Sequence, residues 1–140
     1  MSTASTPKNV SAPLELSWYT ENATSEYYIY MHFSEVVKLK ANQSRSLNIT
    51  INGKHAYGPF TPEYLQTITV YTPSILEMAQ KHDILISKIE NSTLPPIVNA
   101  IEIYSVIDLS QSVTDKQDGM FSSTHVNPVA YFLRSYTFTP

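Results

Sequence analysis

The segment Glu26–Phe33 constrains the fold of this chain more than any other, because its side chains alternate with a period of two. One face carries Tyr27, Ile29, Met31 and Phe33, and the other carries Tyr28, Tyr30 and His32. Such alternation is typical of a β-strand, in which successive side chains point to opposite faces. Both faces are apolar or aromatic, so the segment is predicted to be a central strand covered on both sides.

Four more segments are predicted to be strands: Arg45–Ile51, Thr67–Tyr71, Asp83–Ile89 and Ala100–Ile107. In the first of them, Leu47, Ile49 and Ile51 alternate with Ser46, Asn48 and Thr50. That pattern indicates a half-buried antiparallel strand with a wet face. The dipeptide Asn52-Gly53 follows and predicts a tight hairpin turn. Ser74 and Glu77 have the spacing of a capping box, which predicts one short helix.

Short strands separated by turn residues predict an all-β fold, an antiparallel β-sandwich over about residues 14–109. We divide the chain into an extended lead-in (1–13), a sandwich domain (14–115) and a divergent tail (116–140). The tail has no clear period, so it and the lead-in are expected to attach loosely.

Composition narrows the classes of function. Charged residues make up only 15% of the chain, the formal net charge is -3, and no basic run is present. These values argue against nucleic acid as a partner, since phosphate binding needs several cations on one face. The absence of cysteine excludes disulfides and thiolate metal sites. The polar opening is unlike a signal peptide and no apolar run is long enough to span a bilayer, so we expect this chain alone to have no leader and no membrane insertion.

The chain is rich in acceptor sites for N-linked glycans. The pattern Asn-X-Ser/Thr occurs at Asn9, Asn22, Asn42, Asn48 and Asn91. Roughly two such sites are expected by chance in a chain with this much serine and threonine. The excess predicts glycosylation in the secretory pathway and exposed side chains at these positions. Coincidence in a Ser/Thr-rich chain is the alternative.

The segment Asn52–Leu65 is interpreted as a long loop that could bind a ligand. It carries three aromatic side chains, Tyr57, Phe60 and Tyr64, together with Asn52 and His55 as hydrogen-bonding groups. Aromatic rings can stack on the apolar face of a sugar ring, and polar neighbours can bond its hydroxyls. The competing interpretation is that the aromatic side chains only close the end of the sandwich.

No enzyme chemistry is predicted. Candidate carboxylates are scattered over separate segments: Glu35, Glu63, Glu102 and Asp108. Glycoside hydrolysis needs two carboxyl groups facing one bond, and nothing in the sequence sets such a pair. The four histidines do not have the spacing of metal ligands; they are His32, His55, His82 and His125. We expect no catalytic residue, metal site or cofactor.

Several stretches together resemble the malectin-like ectodomain of plant leucine-rich-repeat receptor kinases. They are MSTASTP at 1–7, YYIYMHFSEV at 27–36, LKANQSRSLNITINGK at 39–54, GPFTPEYL at 58–65 and NSTLPPIVNAIEIYSVIDLSQSVTD at 91–115. The resemblance covers about residues 1–115, and its last block is the most specific. It corresponds to the C-terminal part of that ectodomain.

The resemblance implies a jelly-roll β-sandwich on the extracellular face of the plasma membrane, without the kinase that its full-length relatives carry. It also implies a module that binds a carbohydrate or protein ligand in the cell-wall space. Since the similarity already begins at Met1 and stops before the tail, we expect a truncated gene product or fragment with an incomplete sandwich. A structural remnant that binds nothing is therefore the alternative function.

Overall fold

The structure, a computed structural model, describes residues 3–20, 26–72, 76, 79–108 and 131–138. For residues 107–108 and 131–138 it describes the backbone alone. The helix predicted at Ser74 and the glycan site predicted at Asn22 lie outside the described residues.

Within the described residues, eight strands form two antiparallel sheets. They are β1 (Leu14–Tyr19), β2 (Glu26–Phe33), β3 (Leu47–Ile51), β4 (Lys54–Phe60), β5 (Ile68–Tyr71), β6 (Lys81–Lys88), β7 (Ala100–Asp108) and β8 (Tyr131–Phe138). The first sheet has the strand order β1-β6-β3-β4, and the second has the order β5-β2-β7-β8. This arrangement confirms the prediction of an all-β chain built from antiparallel sheets.

The core lies between the inward faces of the two sheets. The second sheet contributes Tyr27, Ile29, Met31, Phe33, Val70, Ile101 and Ile103, and the first contributes Leu47, Ile49, Ile51, Ile84 and Ile86. The alternation read from the sequence therefore identified the buried face of β2 and of β3. Burial of aliphatic area on this scale is the main term that stabilises such a sandwich.

The outer face of β2 differs from the prediction. Tyr28, Tyr30 and His32 are half-buried, so this face is only partly covered. Their cover comes from side chains of the neighbouring strands, because β2 lies between β5 and β7. A central strand can thus carry an aromatic face that is only partly covered. The apolar character of that face was not enough to predict a covering layer.

The segment read as a loop, Asn52–Leu65, is largely a strand. Asn52 and Gly53 form the hairpin turn with φ values of 49° and 75°, the left-handed region that such turns require. Strand β4 follows at once and pairs with β3 at the edge of its sheet, with irregular register between Leu47 and Thr50. Pro59 is tolerated there because an edge strand leaves one row of its backbone groups unpaired.

Both ends of the described chain are joined to the sheets, in contrast to the loose attachment expected. Ser5 and Val98 exchange two backbone hydrogen bonds of 2.8 and 3.1 Å. The Asn99 side chain donates to the Thr3 carbonyl at 2.8 Å and accepts from the Ser34 amide at 2.6 Å. Strand β8 pairs with β7 over its whole length and completes the second sheet. The domain boundaries at 13 and 115 remain predictions.

Candidate functional site

The hydrogen bonds of Asn52 hold the β3–β4 turn against β6. Its backbone amide donates to the Asp83 carbonyl at 2.9 Å, and its side-chain oxygen accepts from the Asp83 amide at 3.0 Å. Its side-chain nitrogen donates to Nδ1 of His82 at 3.1 Å. All of these bonds are internal, so the predicted ligand-binding role of Asn52 competes with a structural one.

The aromatic residues of β4 form a single contact pair at one end of the strand. The Tyr57 and Phe60 ring centroids are 5.3 Å apart, and Phe60 also meets Phe33 edge-on at 4.9 Å. Phe60 is half-buried against the core, whereas Tyr57 is 44% exposed. Phe60 therefore closes the sandwich, as the competing interpretation expected, and Tyr57 offers an open ring. His55, also exposed, lies toward the turn, two residues before Tyr57.

Tyr64 lies outside β4 and is positioned by backbone hydrogen bonds between its neighbours and Glu35. Glu35 and Tyr64 form an isolated parallel bridge, in which the Glu35 amide donates to the Glu63 carbonyl and the Leu65 amide donates to the Glu35 carbonyl. Tyr64 itself is 48% exposed. The five residues predicted as a ligand site thus follow one edge of the molecule from turn to loop, and the structure brings only Tyr57 and Phe60 into ring contact.

A second aromatic surface lies on the outer face of the second sheet and was not predicted as a site. Tyr30, at its centre, stacks on Tyr71 with centroids 5.9 Å apart and meets Tyr104 edge-on at 5.5 Å. These three tyrosines come from β2, β5 and β7, three neighbouring strands of one sheet. Tyr71 is 60% exposed, so part of the cluster is open to solvent. We call Tyr30, Tyr71 and Tyr104 the tyrosine face.

Polar side chains border the tyrosine face. The Tyr104 hydroxyl donates to Oε2 of Glu102 at 2.6 Å, and this bond raises the pKa of Tyr104, because it stabilises the neutral phenol. His32 Nε2 lies 3.7 Å from the other Glu102 oxygen, and His32 Nδ1 is 3.0 Å from the Thr69 hydroxyl. The Glu102 carboxylate is held in place yet remains about one-third exposed, at 34%.

A buried histidine lies at the opposite sheet. His82 is fully buried on β6, where it stacks on Trp18 at 4.9 Å and meets Tyr27 edge-on at 5.5 Å. Because an amide nitrogen only donates, Asn52 fixes the neutral ring with its proton on Nε2. Burial lowers the pKa of His82, and the neighbouring Asp83 opposes this shift only in part. His82 is thus a neutral core residue, as the sequence reading expected of a histidine without metal-ligand spacing.

Of the predicted glycan sites within the described residues, three lie in exposed loops and one lies on a strand. Asn9, Asn42 and Asn91 are exposed. Asn42 and Asn91 lie on adjacent loops, which are joined where the Ser44 amide donates to the Thr93 hydroxyl at 2.8 Å. Asn48 was expected to be exposed as well, but it is half-buried and its side-chain oxygen is buried without a hydrogen-bond partner. Gly58 of the neighbouring strand β4 lies close to this oxygen, since a Cβ built at Gly58 would be 2.6 Å from it.

An apolar groove opens beside β1, between the two sheets. It has a volume of about 170 Å³, and its lining includes Leu14, Leu16, Ile84, Ile86 and Ile101.

Within the described part of the chain, no cluster of histidine and acidic side chains could hold a metal ion. The same residues include no helix long and apolar enough to cross a bilayer.

Residues 1–106 match the family described as the malectin-like domain, and the chain belongs to that family. It is 40% identical over 120 residues to the LRR receptor-like serine/threonine-protein kinase IOS1 of Arabidopsis thaliana, a match that covers 84% of this chain and 13% of the relative. A probable LRR receptor-like serine/threonine-protein kinase of the same plant is 42% identical over 121 residues, covering 85% and 14%. The chain therefore spans about one-seventh of the length of these relatives.

Solved structures with a similar course of the chain are also plant receptor ectodomains. The ANX2 ectodomain from Arabidopsis thaliana aligns with 18% identity and a TM-score of 0.49, over 73% of this chain and 31% of that one. The ANXUR1 extracellular domain from the same plant aligns with 20% identity and a TM-score of 0.44, over 66% and 27%.

Proposed function

We propose that this chain is an extracellular, non-catalytic ligand-binding module of a plant receptor-like protein. Its ligand is a carbohydrate or a protein of the cell-wall space. Membership of the malectin-like family and relatives that are receptor kinases support the assignment to a receptor ectodomain. The matched residues lie in the ectodomain family, and the chain carries no kinase motif.

The observation that carries the proposal is the number of tyrosine rings left open to solvent. Tyr19, Tyr57, Tyr64 and Tyr71 are 44–77% exposed. Tyrosine combines a rigid apolar ring with a hydroxyl, which is why it is enriched where proteins recognise ligands. The five residues singled out in the sequence, Asn52, His55, Tyr57, Phe60 and Tyr64, remain a proposed site along the β4 edge.

A glycan array probed with the secreted full chain tests the proposal. Binding of at least one immobilised plant cell-wall glycan is expected, and Tyr57→Ala, Phe60→Ala and Tyr64→Ala then test the β4 edge. Loss of affinity in Tyr57→Ala without loss of thermal stability would place the ligand there. Loss of stability with unchanged affinity would assign those aromatic side chains to the sandwich itself and the ligand to another surface.

The second candidate function is a structural remnant that binds nothing. The edges of the two sheets favour it, since four strands each leave one side unpaired within the described chain: β1, β4, β5 and β8. Exposed strand edges promote association between chains. A remnant should form soluble aggregates in sedimentation velocity and give no signal on the array, whereas a binding module should sediment as a single species.

A further inference from the structure

We propose that the tyrosine face binds a neutral, linear saccharide chain laid flat across strands β5, β2 and β7. This inference rests on the proposed function and adds the class of ligand and its location. It assigns the ligand to a sheet face on the side of the molecule away from β4.

The shape of the surface suits a flat, extended ligand. Tyr71, Tyr30 and Tyr104 come from three adjacent strands, so they span about 10 Å at the usual strand spacing. The rings are fixed by contacts with one another, which lowers the entropy lost when a ligand binds. Tyr71, at the sheet edge, is 60% exposed and is the most accessible ring. Such a surface can contact several successive sugar units along a chain.

The polar border suits hydroxyl groups. The Tyr104 hydroxyl holds one oxygen of Glu102, and the second oxygen of that carboxylate lies 3.7 Å from His32 Nε2. That separation is too long for a hydrogen bond, so the buried His32 Nε2 has no hydrogen-bond partner among the described residues. A carboxylate that is fixed and partly exposed accepts strongly from a sugar hydroxyl, because charge-assisted hydrogen bonds are the stronger kind. The face thus pairs apolar rings with a preset acceptor.

The charge of the face selects against acidic saccharides. Glu26 lies on the same face of β2 as Tyr30 and His32, four residues before the tyrosine, and Glu102 lies beside it on β7. Among the described residues of this face on β2, β5 and β7 there is no lysine or arginine. A chain of uronic acids would place carboxylates against Glu102 without a compensating cation. A neutral chain has no such cost.

The face is also free of the glycan sites that lie elsewhere in the described chain. Asn9, Asn42 and Asn91 lie in loops outside the strands, and Asn48 lies on the first sheet. A glycoprotein surface that must admit a ligand has to remain uncovered.

The competing explanation is that the three tyrosines act only as cross-strand pairs that stabilise the sheet, which such pairs commonly do. That explanation predicts a loss of stability without any loss of binding.

Isothermal titration of the secreted full chain tests the inference with four hexasaccharides. Three are neutral, made of β-1,4-linked glucose, xylose or mannose, and the fourth is hexagalacturonic acid. At least one neutral probe should bind, and hexagalacturonic acid should bind at least 10-fold more weakly. Tyr71→Ala should weaken binding of the neutral probe about 10-fold, equivalent to about 1.4 kcal/mol, since it removes the most exposed ring of the tyrosine face. Tyr19→Ala removes an exposed tyrosine from β1 of the other sheet, outside both proposed sites, and is the matched control that should leave affinity unchanged.

Glu102→Gln separates the role of charge from that of the rings. It keeps an acceptor at the same place and should reduce the discrimination against hexagalacturonic acid. The inference is overturned if affinity falls in Tyr57→Ala but not in Tyr71→Ala, a result that would still support a binding module. It is also overturned if the acidic probe binds as tightly as the neutral ones, or if Tyr71→Ala only converts a self-associated chain to a monomer. Thermal melts of each variant establish that the fold is retained.

Discussion

Arg45 donates from Nε to Oε2 of Glu35 at 2.7 Å, and both side chains are almost fully buried. Arg45 also donates from Nη1 to the Pro95 carbonyl. Glu35 in turn holds the segment Glu63–Leu65 through its backbone. One ion pair thus connects three parts of the chain that are distant in sequence, which gives a carboxylate that looked isolated in the sequence a structural role.

Removing one partner of this pair should strongly destabilise the fold. Arg45→Met or Glu35→Leu leaves an unpaired buried charge, and each should lower the free energy of unfolding by about 3–5 kcal/mol. Replacing both partners removes the charge as well as the bond, so the double variant should lose much less than the sum of the two. Urea denaturation of all four proteins measures the coupling, and strictly additive losses would contradict a direct interaction.

Gly58 should tolerate no side chain. A Cβ built at this position would lie 2.6 Å from both the Asn48 side-chain oxygen and the Leu47 carbonyl, and the backbone has a φ of 118°. Gly58→Ala should therefore lower stability by about 3 kcal/mol, the combined cost of overpacking and an unfavourable φ.

Gly53 supplies the matched control. It also has a positive φ, of 75°, but a Cβ there would meet nothing within 4 Å. Gly53→Ala should cost only about 1 kcal/mol from backbone strain. Equal melting temperatures for the two alanine variants would mean that β4 does not pass this close to β3.

The stability of the domain should fall as the pH is lowered below 6.5, the usual pKa of histidine, because of His82. Burial lowers the pKa of His82 in the folded state, so the unfolded chain takes up a proton before the folded one does. This stability is fully present above pH 6.5 and is lost as the pH falls through the lower pKa of the folded state. The negative charge of Asp83, the next residue along β6, weakens the effect, while Trp18, Tyr27 and Asn52 are neutral.

Melting temperatures measured between pH 7.5 and 4.5 test this dependence. His82→Gln should flatten the part of the profile just below pH 6.5, although it lowers stability at every pH. His55→Gln removes an exposed histidine from β4 and should leave the profile unchanged. A wild-type profile that is flat over this range would show that the pKa of His82 is the same in the folded and unfolded states.

Glycan occupancy should follow exposure. In protein secreted from a eukaryotic host, Asn42 and Asn91 should be occupied, because both are exposed in loops. Asn48 should be occupied to a much smaller extent, since its side-chain oxygen is buried close to Gly58 of the neighbouring strand β4. Peptide mass spectrometry after enzymatic deglycosylation measures all three, with Asn42→Gln as the blank for one site. Full occupancy at Asn48 would require β4 to move away from β3.

The sequence predicted the parts of the fold that depend on local alternation. Ile29, Ile49 and Ile103 were placed on strand faces that the structure shows to be buried, because a period of two is a property of one segment. Strand β4 was missed because Gly58 and Pro59 interrupt it, and both residues ordinarily indicate a break. Strand β8 was missed because its side chains show no clear period in the sequence.

The tyrosine face could not be predicted from the sequence. Tyr30, Tyr71 and Tyr104 are separated by 41 and 33 residues, and only the pairing of β2 with β5 and β7 brings them together. Strand order and register are properties of the whole sheet, so no local pattern encodes them. The sequence did carry a weaker signal. The outer face of β2 has the ring side chains Tyr28, Tyr30 and His32, where a strand facing solvent ordinarily has small polar side chains.

The pairing of β1 with β6 places residues 14–19 against residues 81–86, while Asn99 reaches back across the chain to Thr3. During synthesis the ribosome releases the first strand long before its partner exists. Contacts this far apart in sequence require large loops to close before they stabilise anything, which slows folding toward the millisecond-to-second range typical of all-β domains. A nascent chain of this kind presents Leu14, Leu16 and Trp18 unpaired until about 86 residues have emerged. Dependence on chaperones during synthesis is the expected consequence of such a topology.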